Sequence, residues 1–201
     1  MNNITKYKDK PISLHENIVN AARELFSYFG FKKTAMDDIA KKARVAKGTL
    51  YNYFVSKNKL IQTVVQKEGH ALNSRMQEAV RNQKTPQLKF REMIIAKIKF
   101  AKELSLLYKI NQHDLDEILP FLRYEIDEIL RQETNLIKDI LEEGKNSSEF
   151  REIDIFYTAQ VLGIMIKGFE IRWAFEMDIN ESINEIDNFL QIVFHGLERQ
   201  L

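Results

Sequence analysis

The sequence lacks cysteine altogether and has only three prolines and seven glycines among its 201 residues. Without cysteine the chain can form neither disulfides nor thiolate metal sites. The longest apolar stretch, near residues 155–166, contains Gln160 and stops at Lys167, so it is shorter than the ~20 residues needed to cross a bilayer. The N-terminal residues also contain no apolar run typical of a signal sequence. We therefore expect a cytoplasmic protein that is not associated with a membrane.

The two parts of the chain carry net charges of opposite sign, although the net charge of the whole chain is only +1. Residues 1–60 contain 12 Lys and Arg against 5 Asp and Glu, a net charge of +7, whereas residues 61–201 contain 18 against 24, a net charge of −6. Such a division indicates that the basic part meets a polyanion. The alternative is a basic surface that only keeps the protein soluble, and charge alone does not decide between the two.

Apolar residues recur at helical spacing throughout, with no alternation typical of strands, so we predict an all-α fold of about nine helices. The first helix should end at Gly30, and Thr34, with Asp37 three residues later, should cap the second helix. Later stops are expected at Pro120 and Gly144. The remaining predicted helices cover residues 47–54, 57–81, 87–107, 113–119, 121–143, 153–176 and 181–199.

The first three short helices, with a tight turn between the last two, predict a helix-turn-helix head over residues 1–60. A helix over about residues 57–82 should connect it to a helical body over residues 61–201. The second helix of a helix-turn-helix, which is here the third helix of the chain, docks in the major groove of DNA with its N-terminal residues toward the bases. This prediction coincides with the basic part of the chain.

The stretch "ARVAKGTLYNYFVSKNKL", residues 43–60, interleaves small, aromatic and cationic side chains as a DNA surface would require. Lys47 can donate to guanine, the methyl group of Thr49 can touch thymine, and Gly48 allows close backbone approach. The other side chains suit phosphates. Alternatively, Tyr51 or Tyr53 is a core aromatic residue with an exposed hydroxyl, and Gly48 only permits the turn. The predicted DNA contacts are Thr34, Arg44, Lys47, Gly48, Thr49, Tyr51, Asn52, Tyr53 and Lys57.

The longer stretch "FGFKKTAMDDIAKKARVAKGTLYNYFVSKNKL" resembles the DNA-binding region of the tetracycline-repressor (TetR) family, and the resemblance extends from about Ile18 to Leu60. It implies a homodimeric bacterial transcriptional regulator, usually a repressor that a small molecule releases from a palindromic operator. The family often has glycine where this chain has Arg44, and serine where it has Ala46. If the turn needs a positive φ, Arg44 costs roughly 1–2 kcal/mol, and Ala46 forgoes an N-cap worth ~1 kcal/mol.

The acidic body has no comparable motif, but its last two helices are rich in apolar residues. A helix that is apolar on most of its surface must be buried on more than one side, as against its own domain and a second subunit. A monomeric core is the alternative. The predicted dimer contacts are Phe156, Gly163, Ile183, Ile186, Leu190, Val193 and Leu197.

A pocket for a largely apolar effector is predicted between the long helices of the body, although apolar residues at this spacing also form plain cores. Glu125 and Glu170 stand among apolar neighbours, where they could orient a cationic ligand or simply lie at the surface. The predicted lining residues are Phe90, Met93, Ile94, Lys97, Phe100, Phe121, Tyr124, Glu125, Met165, Phe169 and Trp173.

Catalysis is not expected, because the four histidines are scattered, and neither a glycine-rich phosphate loop nor a nucleophile signature occurs. We predict no metal and no cofactor. The remaining alternative is an all-helical protein-interaction module without ligand control, which would leave the basic head and its motif unexplained.

Overall fold

The computed structural model describes residues 13–104 and 112–195. Within these ranges the chain is helical and contains no strand, which confirms the all-α prediction. A π-helical segment, Arg172–Glu176, directly follows the α-helix Ile155–Ile171. The α-helices are α1 (Leu14–Phe29), α2 (Met36–Lys42), α3 (Lys47–Tyr53), α4 (Lys57–Arg81), α5 (Pro86–Leu104), α6 (Gln112–Asn146), α7 (Ile155–Ile171) and α8 (Ile179–His195).

These helices form two compact units. Of the described residues, 13–64 and 112–118 belong to the first unit, and 65–104 and 119–195 belong to the second. The boundaries fall inside α4 and inside α6, so each of these helices supplies residues to both units.

Local signals in the sequence define the first unit. The Ser13 hydroxyl accepts from the Glu16 backbone N–H, and the Glu16 carboxylate accepts from the Ser13 N–H, so a complete capping box begins α1. Gly30 ends the helix with a φ of 83°, which glycine adopts without strain, and its N–H donates to the Phe26 carbonyl at 3.0 Å. The core contains Ile18, Phe26, Phe31, Ile39, Leu50, Phe54, Leu60 and Ile61.

The predicted cap of α2 is wrong. Ala35, not Thr34, is the N-cap residue, and no side chain caps this helix end. Thr34 is 3% exposed, and its hydroxyl donates backward to the Gly30 carbonyl at 2.8 Å, with the Leu25 carbonyl 3.3 Å away. The hydroxyl therefore ties the α1–α2 connection to the end of α1.

Two of the predicted stops are also wrong. Pro120 lies inside α6, which continues to Asn146, two residues beyond Gly144. A proline inside a helix costs about 3 kcal/mol, but Ile118 and Leu122 on either side are both fully buried. Tertiary burial therefore outweighs the local preference of proline for a helix end.

The core of the second unit lies between α5, α6, α7, the π-helical segment and α8. Trp173, in the π-helical segment, stacks on Phe169 with a ring-centroid distance of 5.0 Å and lies 5.8 Å from the Phe189 ring. Its indole N–H donates to Glu185 at 3.2 Å. The predicted single helix over residues 153–176 is therefore an α-helix followed by a π-helical turn that places Trp173 in the core.

Candidate nucleic-acid interface and ligand site

Helix α3 divides its side chains between the core and the solvent. Leu50 is fully buried, and Phe54 follows it one turn later in the same core. Tyr51, Asn52 and Tyr53 are exposed, and neither tyrosine is among the buried core residues. The exposed face of α3 thus presents the polar groups that the sequence suggested for DNA contact.

Gly48 opens onto empty space. A Cβ atom built on it meets no atom of the described protein within 4 Å. The residue lies in the first turn of α3, where its φ is not positive, so neither a turn nor internal packing requires glycine there. A contact between Gly48 and DNA therefore stays a prediction.

Lys47 and Asp37 form an ion pair at the edge of this face. The Lys47 ammonium lies 2.8 Å from Asp37 Oδ1 and 3.0 Å from Oδ2. The hydrogen bond that Lys47 donates to Asp37 and the negative charge of that carboxylate raise the pKa of Lys47 above its ordinary value. The sequence predicts Lys47 as a DNA contact but Asp37 only as part of a helix cap.

Two of the predicted phosphate contacts have internal partners instead. The Thr34 hydroxyl is used inside the head, as described above, which corrects its assignment as a phosphate ligand. Lys57 donates to the carbonyls of Phe31 at 2.9 Å and Thr34 at 3.0 Å, and its ammonium lies 4.3 Å from the centre of the Phe31 ring. Lys57 therefore holds the start of α4 against the α1–α2 connection.

The turn before α3 has the positive φ that would strain a residue other than glycine. Arg44 has a φ of 56°, so a non-glycine residue adopts the left-handed conformation there, and its side chain is exposed. Ala46 is the N-cap residue of α3 and makes no side-chain hydrogen bond. Both departures from the family pattern therefore have the structural consequences expected of them.

In the second unit, a buried ion cluster joins three helices. Lys97 of α5 donates to both carboxylate oxygens of Glu133 of α6, at 2.8 and 2.7 Å, and lies 3.4 Å from Glu170 of α7. Each of the three residues is at most 5% exposed. Burial lowers the pKa of Lys97, but the charges and hydrogen bonds of the two glutamates outweigh it, so the pKa lies above its usual value.

A cavity of about 600 Å³ lies elsewhere in the second unit. Its wall is mostly apolar. Two of the wall residues, Phe150 and Phe194, stack with their ring centroids 5.6 Å apart. The Phe150 ring packs so closely on Gly144 that a Cβ atom at Gly144 would overlap it. Such a volume is within the range of small-molecule sites. The cavity is lined by Phe90, Ile140, Leu141, Glu149, Phe150, Arg151, Ile153, Tyr157, Thr158, Val161, Leu162, Met165, Ile192, Val193 and Phe194.

Two of the predicted pocket residues, Phe90 and Met165, line this cavity. Met93, Ile94, Phe100 and Trp173 are buried and do not line this cavity, and the ammonium of Lys97 is held by the two glutamates. Phe121, Tyr124 and Phe169 are exposed. Glu125 is half-buried, and its enclosed Oε2 accepts no hydrogen bond from the described residues.

The predicted dimer contacts of α8 are largely core residues of their own chain. Ile186 is 0% exposed and Leu190 is buried, while Ile183 and Val193 pack against the same core. A buried side chain has almost no surface that a second subunit could contact. The prediction that Ile186 and Leu190 are dimer contacts is therefore corrected. Leu197 lies outside the described residues.

Helix α7, in contrast, exposes several apolar side chains. Gly163 faces α6 of its own chain, where a Cβ atom would lie 3.8 Å from Thr134 and 3.9 Å from Ile137, so the predicted close approach is internal. Phe156 is exposed, as a dimer contact must be in a single chain. The exposed apolar residues that the sequence analysis did not single out are Tyr157, Ile164 and Ile171. The sequence signal that could have identified these three residues is the apolar character of this helix on most of its surface.

Residues 13–103 and 118–195, whose side chains the structure describes, bring together no group of three or more histidines and carboxylates that could hold a metal ion. None of the helices in these ranges is long and apolar enough to cross a membrane.

Comparison with known proteins assigns both parts of the chain. Residues 18–64 match the family described as "Bacterial regulatory proteins, tetR family", and residues 65–195 match "YsiA-like protein, C-terminal region". The chain is 25% identical over 184 residues to the "Fatty acid metabolism regulator protein" of Bacillus subtilis, which covers 91% of this chain and 95% of that protein.

Solved structures show the same fold. The fatty acid degradation regulator FadR from Bacillus halodurans superposes with a TM-score of 0.75 at 22% identity, covering 96% of this chain and 100% of that one. FadR from Bacillus subtilis, in complex with stearoyl-CoA, gives a TM-score of 0.71 at 26% identity over 90% of this chain and 98% of the other. These relatives are regulators and not enzymes. With a basic helix-turn-helix head and a helical body that both match, the chain belongs to the TetR family of bacterial transcriptional regulators.

Proposed function

We propose that the protein is a repressor that binds a palindromic operator as a homodimer, with α3 in the major groove. The observation that carries this proposal is the exposed polar face of α3 beside an open Gly48, within a head of net charge +7. Lys47 and Thr49 are the base readers, while Tyr51, Tyr53 and Arg44 contact the phosphate backbone.

The exposed apolar side chains of α7 support the homodimer. Phe156, Tyr157, Ile164 and Ile171 lie on one helix and are all more than half exposed. Apolar patches of this kind mark protein–protein contacts. A two-fold dimer sets two recognition helices a whole number of DNA turns apart, and the operator is then a palindrome.

The effector we propose is a long-chain acyl-CoA. Support comes from the Bacillus subtilis FadR in complex with stearoyl-CoA and from the Bacillus subtilis fatty acid metabolism regulator, each of which aligns with at least 90% of this chain. The mostly apolar cavity beside α7 has the chemistry to receive an acyl chain, and Arg151 at its wall can meet an anionic group.

Effector and operator then compete through the protein. We propose that the ligand favours a conformation of the dimer in which the spacing of the heads no longer fits the operator. Helices α4 and α6 are the routes of coupling, because each supplies residues to both units. Linkage requires that the operator weaken acyl-CoA binding by the same factor by which acyl-CoA weakens operator binding.

Selection of bound duplexes from a random pool by the purified protein tests DNA binding. A palindromic consensus supports the proposal, and the absence of enrichment by protein refolded without ligand favours the interaction-module alternative. Titration of stearoyl-CoA into the operator complex then tests the effector, because release of the DNA is expected.

A cavity variant separates the effector site from DNA binding. Val161→Trp fills the cavity and should abolish release by stearoyl-CoA while leaving operator affinity unchanged. Glu142→Trp is the matched control, since Glu142 is exposed on neighbouring α6 and does not line the cavity. Normal release from the Val161→Trp complex would remove the cavity from the proposal without affecting operator binding.

A further inference from the structure

Asp37 meets Lys47 of the neighbouring helix, a contact that its position in the sequence does not reveal. It lies in the first turn of α2, and Lys47 is the first residue of α3. The tertiary arrangement of the two helices places both carboxylate oxygens of Asp37 within 3.0 Å of the Lys47 ammonium. A hydrogen-bond donor and an acceptor from different helices thus meet at one point beside Gly48.

Stability does not explain this pair. The Asp37 side chain is 51% exposed and that of Lys47 is 62% exposed. Ion pairs with such exposure are screened by water and contribute little to folding. The α2–α3 packing is instead supplied by buried Ile39, Ala43 and Leu50. The two charged groups are therefore available to a partner of the head.

A carboxylate at this position also restricts where the pair can face. Next to phosphates, Asp37 would repel the DNA backbone and weaken binding to every sequence. At the floor of the major groove the same carboxylate has a specific partner, because the N4 amino group of cytosine is a donor there. The ammonium of Lys47 matches the O6 and N7 acceptors of the guanine paired with that cytosine.

We propose that Asp37 and Lys47 act together as a reader of one G·C base pair in each half-site, with Asp37 accepting from cytosine N4 while Lys47 donates to guanine. Asp37 is then a specificity-determining residue. This inference rests on the proposed operator binding. It adds that the identity of a base pair is read by an acidic residue of α2 as well as by α3.

The test compares wild-type protein with Asp37→Asn and Asp38→Asn on the selected operator and on every single base-pair variant of one half-site. Asp38 is the matched control, because it is exposed on the same turn of α2 and no ion pair joins it to Lys47. Both variants remove one negative charge, so any general electrostatic gain in affinity is common to them. Thermal melting of both variants confirms that the head remains folded.

We expect the wild-type operator to contain one G·C pair per half-site at which Asp37→Asn loses about tenfold in discrimination, whereas Asp38→Asn keeps it. The Asp37→Asn, Lys47→Met double variant should lose little more at that pair than Lys47→Met alone. Equal effects of Asp37→Asn on all sequences, matching those of Asp38→Asn, would overturn the proposal while leaving operator binding intact. Failure of the wild-type protein to select any sequence would reject operator binding and this inference together.

Discussion

At the scale of single residues, Gly48 separates a requirement of folding from a requirement of DNA binding. Because a Cβ atom at this position meets open space, Gly48→Ala should stabilise the protein by about 0.5–1 kcal/mol, as alanine does inside a helix. The same methyl group would prevent close approach of DNA, so operator affinity should fall about tenfold or more. Urea unfolding and operator titration of the same variant measure both effects. Unchanged operator affinity would show that Gly48 does not face DNA.

Arg44 combines an unfavourable backbone conformation with an exposed cation, and two substitutions separate them. Arg44→Gly and Arg44→Ala both remove the guanidinium, but only glycine adopts a φ of 56° without strain. We expect Arg44→Gly to be more stable than Arg44→Ala by about 1 kcal/mol in urea unfolding. Operator affinity should fall equally in both if the cation contacts a phosphate. A loss only in Arg44→Ala would attribute the effect to the backbone of the turn.

At the scale of elements, the buried cluster of Lys97, Glu133 and Glu170 fixes α5, α6 and α7 to one another. Lys97→Met leaves two buried carboxylates without their cation and should lower the free energy of unfolding by about 3–5 kcal/mol. Arg131→Met is the control, because its ion pair with Glu128 is exposed to solvent, and it should have little effect on the free energy of unfolding. Similar losses in the two variants would contradict a structural role for the buried cluster.

The same cluster makes stability depend on alkaline pH. The pKa of Lys97 is raised in the folded protein, so its contribution is fully present below the ordinary pKa of 10.5 and is lost as pH rises through the folded value. Wild-type protein should therefore lose stability more steeply above about pH 10.5 than Lys97→Met does. Urea unfolding of both proteins across this range measures the difference. Parallel pH profiles would contradict the linkage.

At the scale of the whole molecule, the exposed apolar face of α7 and the charge of the head are predicted to act together. Ile164 is 72% exposed near the middle of α7, and Ile164→Glu should convert the dimer to a monomer. Because operator binding then loses its second head, affinity should fall roughly a hundredfold. Sedimentation equilibrium and operator titration measure the two effects. Gln77→Glu adds the same charge at an exposed position of α4 and should leave both unchanged.

Most of the head could be predicted because its signals are local. The capping residues and Gly30 fix α1, and the spacing of Leu50 and Phe54 gives α3 its buried side. The positive φ of Arg44 could also be anticipated, because it concerns the backbone of one residue at a position where the family often has glycine. The division into a head and a body at residue 60 stays a prediction about function, although the compact units divide nearby, between Val64 and Val65.

The sequence by itself determined the helical class, the family and the basic head, because periodicity, motif and charge are properties of consecutive residues. Tertiary structure alone decided which polar groups are used internally and which are offered outward. Thr34 and Lys57 turned inward to backbone carbonyls, whereas Asp37 met Lys47 from another helix. Burial of Ile118 and Leu122 likewise allows α6 to continue past Pro120. The physical reason is that hydrogen bonds and burial in the folded chain outweigh local preferences of a few kcal/mol.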